Sequence, residues 1–280
     1  LALGRSALAL GCSALALGCS TASPESPRIG VVVSVLPQAY VVDRVSGGTA
    51  DVAVMIPPGG SPATYEPTIE QLRAVSEATL YVKIGHPNFA WERAWLDRLI
   101  EANPGLVVID GSEGCRREVD DPHVWLSPVC VRSMASQVAR ALAEALPAAA
   151  ERIRTELAAF EAEVEELDAE IRDRLAPYRG ETFLVFHPAW GHFAADYGLR
   201  QVAIQRGAVE PGTHELGELI ERARAEGIRV VFVQPQFPRT NAELVAREIG
   251  GTVVALDPLA GDWPASLRQA AAAFEEAFRR

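Results

Sequence analysis

Positive charge is scarce in this chain. Its 26 Lys and Arg are outnumbered by 37 Asp and Glu, for a formal net charge of −11. No basic surplus is available to grip a phosphate backbone, so nucleic acid is excluded as a partner. An acidic surface mildly concentrates cations, although it serves first as a soluble surface. Cysteine is also rare. There are four, none in CxxC spacing, which excludes a cysteine zinc knuckle. No HExxH, GxSxG or GxxxxGK[ST] string occurs, which removes the standard metalloprotease, α/β-hydrolase and P-loop readings. Apolar runs are too short or too broken for a convincing membrane span.

The first 23 residues are of different material. LALGRSALALGCSALALGCSTAS repeats an LALGxSA unit and carries one charge, Arg5, near its start. An apolar Leu/Ala run leading into Ser-, Pro- and Glu-containing sequence reads as an export signal rather than a folded element. No Met opens the chain, which reads as a truncated or misassigned start. Cys12 and Cys19 both sit in an ALGCS context that resembles the lipobox of bacterial lipoproteins. Cys19 is the better placed, because polar linker follows it. The expectation is an exported protein, periplasmic or at the cell surface, touching the membrane only through a lipid on Cys19.

From Ile29 onward, short β-branched runs alternate with amphipathic stretches. Strands are expected at 29–35, 52–56, 79–84 and 106–110, and again at 182–186, 201–204, 229–233 and 252–256. Strands separated by helical patterns of this length indicate parallel sheets covered on both faces. Between the two sets, Ile153, Leu157, Phe160, Val164, Leu167, Ile171 and Leu175 recur at spacings of three and four. This is one apolar stripe on a helix over about 147–176, with Pro147 in its first turn and Pro177 at its end. An intramolecular position against two lobes is preferred to a coiled coil, since the stripe lasts only about four heptads. The fold class is therefore α/β: two lobes, each a roughly four-stranded parallel sheet with flanking helices, joined by one long helix. The expected divisions are 1–27 (signal and linker), 28–146 (first lobe), 147–177 (linking helix) and 178–280 (second lobe). Cys115 and Cys130 are near enough in sequence to pair in an exported protein. Cys130 falls inside the helix expected after Ser127-Pro128, however, and the reading leans against a bridge.

Three strings carry chemistry: DPHVWLSP at 121–128, HPAWGHFAADYGL at 187–199 and LDPLAGDW at 256–263. Each holds a good metal ligand, namely His123, His187 and Asp257. Imidazoles with a carboxylate suit a divalent transition ion. With VSVLPQAYVVDRVSGG (33–48) and MIPPGGSPATYEPT (55–68), these strings resemble, in order, the metal-binding solute-binding proteins of bacterial ABC importers, the zinc/manganese cluster. The resemblance runs from Gly30 to the C-terminus. It implies two α/β lobes on one long helix, an ion in the cleft, delivery to a membrane permease, a monomer and no enzymatic activity.

The resemblance implies that His123, His187 and Asp257 are the second, third and fourth ligands. It fails at the first, where SPATYEPT places Ala63 at the position of a histidine. His86, in VKIGHPNFAWE just after an expected strand, is the substitute, because ligands in open α/β sheets gather beyond the carboxyl ends of strands. Glu66, read as a helix-start carboxylate, and Gln38 are weaker candidates. His192 is read as a supporting or buried residue and His214 as solvated. Tyr65, Trp125 and Trp190 are read as packing. The family's manganese binders carry Glu where His187 stands, so the cargo is read as Zn2+, with Mn2+ or iron as the alternative. The His-rich loop of many zinc members is missing, and only GSEGCRREVD (111–120) precedes DPHVW. A zinc hydrolase, an adhesin or a metal store are the rival classes. A permease and ATPase encoded beside the gene would set transport apart from all three.

Overall fold

Branched side chains fill pleated strands and stiffen them, and the β-branched runs form two parallel sheets in the computed structural model, which describes residues 28–115, 119–205 and 212–279. The first sheet contains β1 (Ile29–Val33), β2 (Ala50–Val54), β3 (Leu80–Lys83) and β4 (Val107–Asp110), in the order β2-β1-β3-β4. The second contains β5 (Thr182–Val185), β6 (Arg200–Ala203), β7 (Val230–Val233) and β8 (Thr252–Ala255), in the matching order β6-β5-β7-β8. Chain order reverses between β1 and β3, and again between β5 and β7. Such switch points open a crevice beyond the strand ends, where ligands bind. β2 starts two residues before the expected 52–56. Ala50 and Asp51 pair with Ile29 and Gly30 despite the charge, whereas Met55 and Ile56 lie past the ladder and donate to Val33 O and Ser34 O.

The helices are α1 (Leu36–Ser46), α2 (Ile69–Glu77), α3 (Ala90–Ala102), α4 (Pro128–Ala145), α5 (Ala150–Leu175), α6 (Gly191–Tyr197), α7 (Thr213–Ala225), α8 (Arg239–Glu248) and α9 (Trp263–Phe278). None is long and apolar enough among the described residues to cross a membrane. The long linking helix is α5. It is shorter than the expected 147–176, because the prolines at both ends sit in 3-10 turns, Pro147–Ala149 and Ala176–Tyr178. At 1.5 Å per residue it spans about 39 Å. Its stripe is buried at Ile153, Phe160, Val164, Leu167, Ile171 and Leu175, with Leu157 half-buried. The stripe packs on α1 and α4 beside the first sheet and on α9 beside the second, so its apolar face is used within the chain.

The two sheets share apolar ground. Phe183, Val185, Val230 and Phe232 belong to one continuous core with the first sheet and α5, while Leu184, Val231 and Val233 point to a smaller core on the opposite face. Period-two alternation along β5 and β7 produces this division. Hydrogen bonds cross the same junction. Trp125 Nε1 donates to Pro258 O (2.6 Å), Trp263 Nε1 to Trp125 O (2.6 Å) and Ser127 Oγ to Asp196 Oδ2 (2.5 Å).

Cys115 and Cys130 are bonded, contrary to the expectation from sequence, with Cα atoms 5.0 Å apart. The Ser127 hydroxyl accepts from Cys130 N and caps α4, so Cys130 stands in the helix's first turn. Gly114, at φ 87°, turns the preceding segment back toward it. The expected signal segment and lipid site, including Cys12 and Cys19, lie outside the described residues.

Candidate metal site between the two sheets

The site is built on loops that leave the carboxyl ends of strands. His187 lies two residues past β5, Gln234 one past β7 and Asp257 two past β8. From the first sheet, His86 follows β3, and His123 caps the 3-10 turn Val124–Leu126 ahead of α4. A cavity of ≈ 480 Å³ opens where these loops meet, and both sheets contribute to its lining: Ala63, Asn88, Asp120, Asp121 and His123 on one side, and His187, Gln234, Gln236, Pro258 and Leu259 on the other.

His123 and His187 come together across the lobes, their ring centroids 5.6 Å apart and their planes at 77°. Asp121 Oδ1 faces His123 Nδ1 at 2.5 Å and accepts from His123 N at 2.9 Å. With Nδ1–H donated to a carboxylate, the lone pair of His123 lies on Nε2. His187 Nδ1 is 3.3 Å from Gln205 Oε1, which likewise assigns its proton to Nδ1. Its ring stacks on Phe237 at 4.9 Å, and its carbonyl accepts from Gln234 Nε2 at 2.8 Å. Each imidazole is thus oriented through Nδ1, as metal-ligating histidines are by a partner on the nitrogen that does not ligate.

Asp121 does more than orient His123. Its Oδ2 accepts from Gly191 N at 2.7 Å, and its backbone carbonyl faces His192 Nε2 at 2.9 Å, both from the second lobe. A Cβ on Gly191 would stand 2.6 Å from that Oδ2, so only glycine permits the approach. Burial pushes the Asp121 carboxyl upward. The electrostatic pull of the His123 ring and its N–H, with the backbone N–H groups of His123 and Gly191, outweighs it and holds the group below the usual carboxylate range.

Asp257 is half-buried and accepts from Leu259 N (3.0 Å) and Gln236 Nε2 (2.9 Å), both on Oδ1. His86 is set differently from the other two imidazoles. Gly85, at φ 80° and with no room for a Cβ against the Asp110 carboxylate, turns the chain after β3. His86 Nδ1 then accepts from Asn88 N at 3.1 Å, which puts the proton of the neutral ring on Nε2, 3.7 Å from Asp120 Oδ1. Burial lowers the His86 pKa against the pull of Asp120 and Asp121, so the ring is neutral at pH 7. Among the described residues, no three His, Cys, Asp or Glu side chains stand assembled as a metal cage. His123 and His187 meet in the cavity. Asp257 adjoins it through Pro258, Leu259 and Gln236, and His86 adjoins it through Asn88.

The weaker candidates serve the scaffold. Gln38 Oε1 accepts from Ser34 N and Val35 N at the start of α1. Glu66 lies two residues before Thr68, the N-cap of α2, so it is not a first-turn carboxylate; Glu70 is. His192 is buried, His214 is exposed beside Glu218, and Trp125 and Trp190 are core residues. Sequence reasoning missed Asp121 and the three glutamines, Gln205, Gln234 and Gln236. For Asp121 a signal existed, since an acid two residues before a ligand histidine can reach its Nδ1. For the glutamines no pattern marks them, because their roles depend on which strands lie side by side.

Comparison with known proteins agrees with this architecture. The family model for ZnuA, zinc-uptake complex component A, periplasmic, matches residues 31–277. A crystal structure of ZnuA superimposes with a TM-score of 0.84 at 39% identity, covering 89% of this chain and 99% of that one. A zinc-bound ZnuA deletion mutant gives 0.83, again at 39% identity, with 89% and 98% covered. The zinc-binding lipoprotein AdcA of Streptococcus pneumoniae is 26% identical over 251 residues, 83% of this chain. The chain spans about half the length of that curated relative (50%). With the ZnuA family model matching residues 31–277 on a fold of two parallel sheets and one long helix, this chain is a member of the ZnuA family.

Proposed function

We propose that this protein captures a divalent metal ion, zinc foremost, in the cavity between its lobes outside the cytoplasm, and delivers it to an ABC permease. The observation that carries the reading is the pair His123 and His187, presented from opposite lobes with their rings 5.6 Å apart and each Nδ1 engaged by a neighbour. Two imidazoles with the Asp257 carboxylate supply the nitrogen and oxygen donors zinc accepts. His86 is the proposed fourth ligand, taking the place left by Ala63, and it must give up the Asn88 N–H bond to offer a lone pair, either on Nδ1 itself or on Nε2 with the proton moved to Nδ1. The zinc-bound relative and the zinc-binding lipoprotein support zinc over manganese. The ion is bound and released unchanged, so the reading contains no catalytic step. The protein works as a monomer, held near its permease by a lipid on Cys19.

Calorimetric titration tests this. One zinc ion per chain is expected, and His123→Ala or His187→Ala should weaken binding at least tenfold, the lower end of the ~10–100-fold attached even to outer-shell partners. Undiminished affinity in the double variant would sink the assignment.

A further inference from the structure

We infer that Gln236 sets the metal preference of the site by restricting Asp257 to one coordinating oxygen. The inference rests on the ligand reading above, in which Asp257 faces the ion. Asp257 Oδ1 accepts from Leu259 N at 3.0 Å and from Gln236 Nε2 at 2.9 Å. A carboxylate oxygen offers about two lone-pair sites, so Oδ1 is filled and Oδ2 is the oxygen left for an ion. The Leu259 bond is local, made by a turn two residues long. The Gln236 bond is not local. It joins the loop after β7 to the loop after β8, across 21 positions, and exists because those strands are parallel neighbours. Only the amide nitrogen can face a carboxylate, which fixes the orientation of the Gln236 head group. Gln236 also lines the cavity that His123 and His187 line.

This arrangement matters because zinc and manganese want different shells. Zinc is satisfied by four donors in a tetrahedron, and one carboxylate oxygen suffices. Manganese prefers an octahedral, oxygen-rich shell. A carboxylate that chelates through both oxygens adds a donor without adding a residue. Gln236 blocks that route by occupying the second lone pair of Oδ1. Gln205 and Gln234, which meet the His187 ring and carbonyl, are also neutral amides. Among the described residues that line the cavity from the second lobe, none adds a charged oxygen.

The test uses the whole chain. Zinc and manganese affinities are measured by competitive titration in wild type and in Gln236→Met, which keeps the side-chain length and removes the donor. Gln236→Ala serves if the Met variant does not fold. The ratio of manganese to zinc Kd should contract at least tenfold, within the ~10–100-fold range of outer-shell substitutions, with manganese binding tighter than in wild type. X-ray absorption should show an added oxygen neighbour on bound manganese. Equal weakening of both metals, with the ratio unmoved, means that Gln236 only braces the loop and overturns the inference. Asp257→Ala is run in parallel. Wild-type zinc affinity in that variant would overturn the ligand reading itself, whereas weakened Asp257→Ala with an unmoved Gln236→Met ratio overturns only the role of Gln236.

Discussion

Asp121 is the residue on which most of the site converges, since it holds the His123 ring, the His123 backbone and the first turn of α6 at once. Asp121→Asn should therefore weaken zinc binding by ~10–100-fold although the residue is not proposed to touch the ion, and calorimetry on the folded variant reads this directly. His86 and Ala63 make a second, separable case. If His86 ligates, His86→Ala weakens zinc binding and Ala63→His in that background restores part of it. If His86 stays bound to Asn88, His86→Ala changes little and Ala63→His alone tightens binding. The same titrations at several pH values carry a sign. An imidazole must be neutral to ligate, and an ordinary one titrates near 6.5, so protons displace zinc as pH falls from about 7 to 5. Burial pushes the His86 pKa down, so His86 keeps its neutral form further into acid than an exposed histidine. Affinity that is flat over this range would indicate a site made of carboxylates. The proposed ligands could be named from the sequence because DPHVW, HPAWGH and LDPL are compact strings, and of these His123 and His187 meet in the cavity. The tautomers were not, because Asn88 N, Gln205 and Asp121 choose them through folded geometry.

Among elements, the strands were read closely because Val and Ile runs are unambiguous in a parallel sheet, and β2 was misplaced because its pairing begins at Ala50 and runs through a charged residue, Asp51. The disulfide was misjudged because a helix start cannot be oriented from spacing alone. That bridge ties Cys115 to the first turn of α4. Closing a loop with a sequence separation of 15 is worth about 3 kcal/mol in the chain-entropy account. In a domain of this size that corresponds to a melting temperature roughly 6–12 °C lower. Cys115→Ser with Cys130→Ser should show that drop by calorimetry, and a reducing agent should reproduce it in wild type. An unmoved melting temperature in both would deny the bridge any structural role. α5 was legible as a helix from its stripe, but its ends were not, because proline permits a 3-10 turn as readily as a first α-helical turn.

At the scale of the whole molecule, the two sheets are not independent bodies. Phe183 and Phe232 of the second sheet share one core with Val31 and Val33 of the first, and Trp125 and Trp263 exchange hydrogen bonds across the junction. Two α/β lobes on a helix could be read from the sequence. The continuity of their core could not, since it depends on which face each strand turns inward. That continuity has a consequence for how long the protein survives. An ion held by residues from both lobes stabilises a single cooperative unit, by about 2.7 kcal/mol when its concentration is a hundred times Kd. Occupancy and resistance to degradation then rise together. Under the proposed function, the empty protein should therefore be cut faster than the zinc-loaded one in limited proteolysis, and supply of the cargo would set how much of its carrier persists.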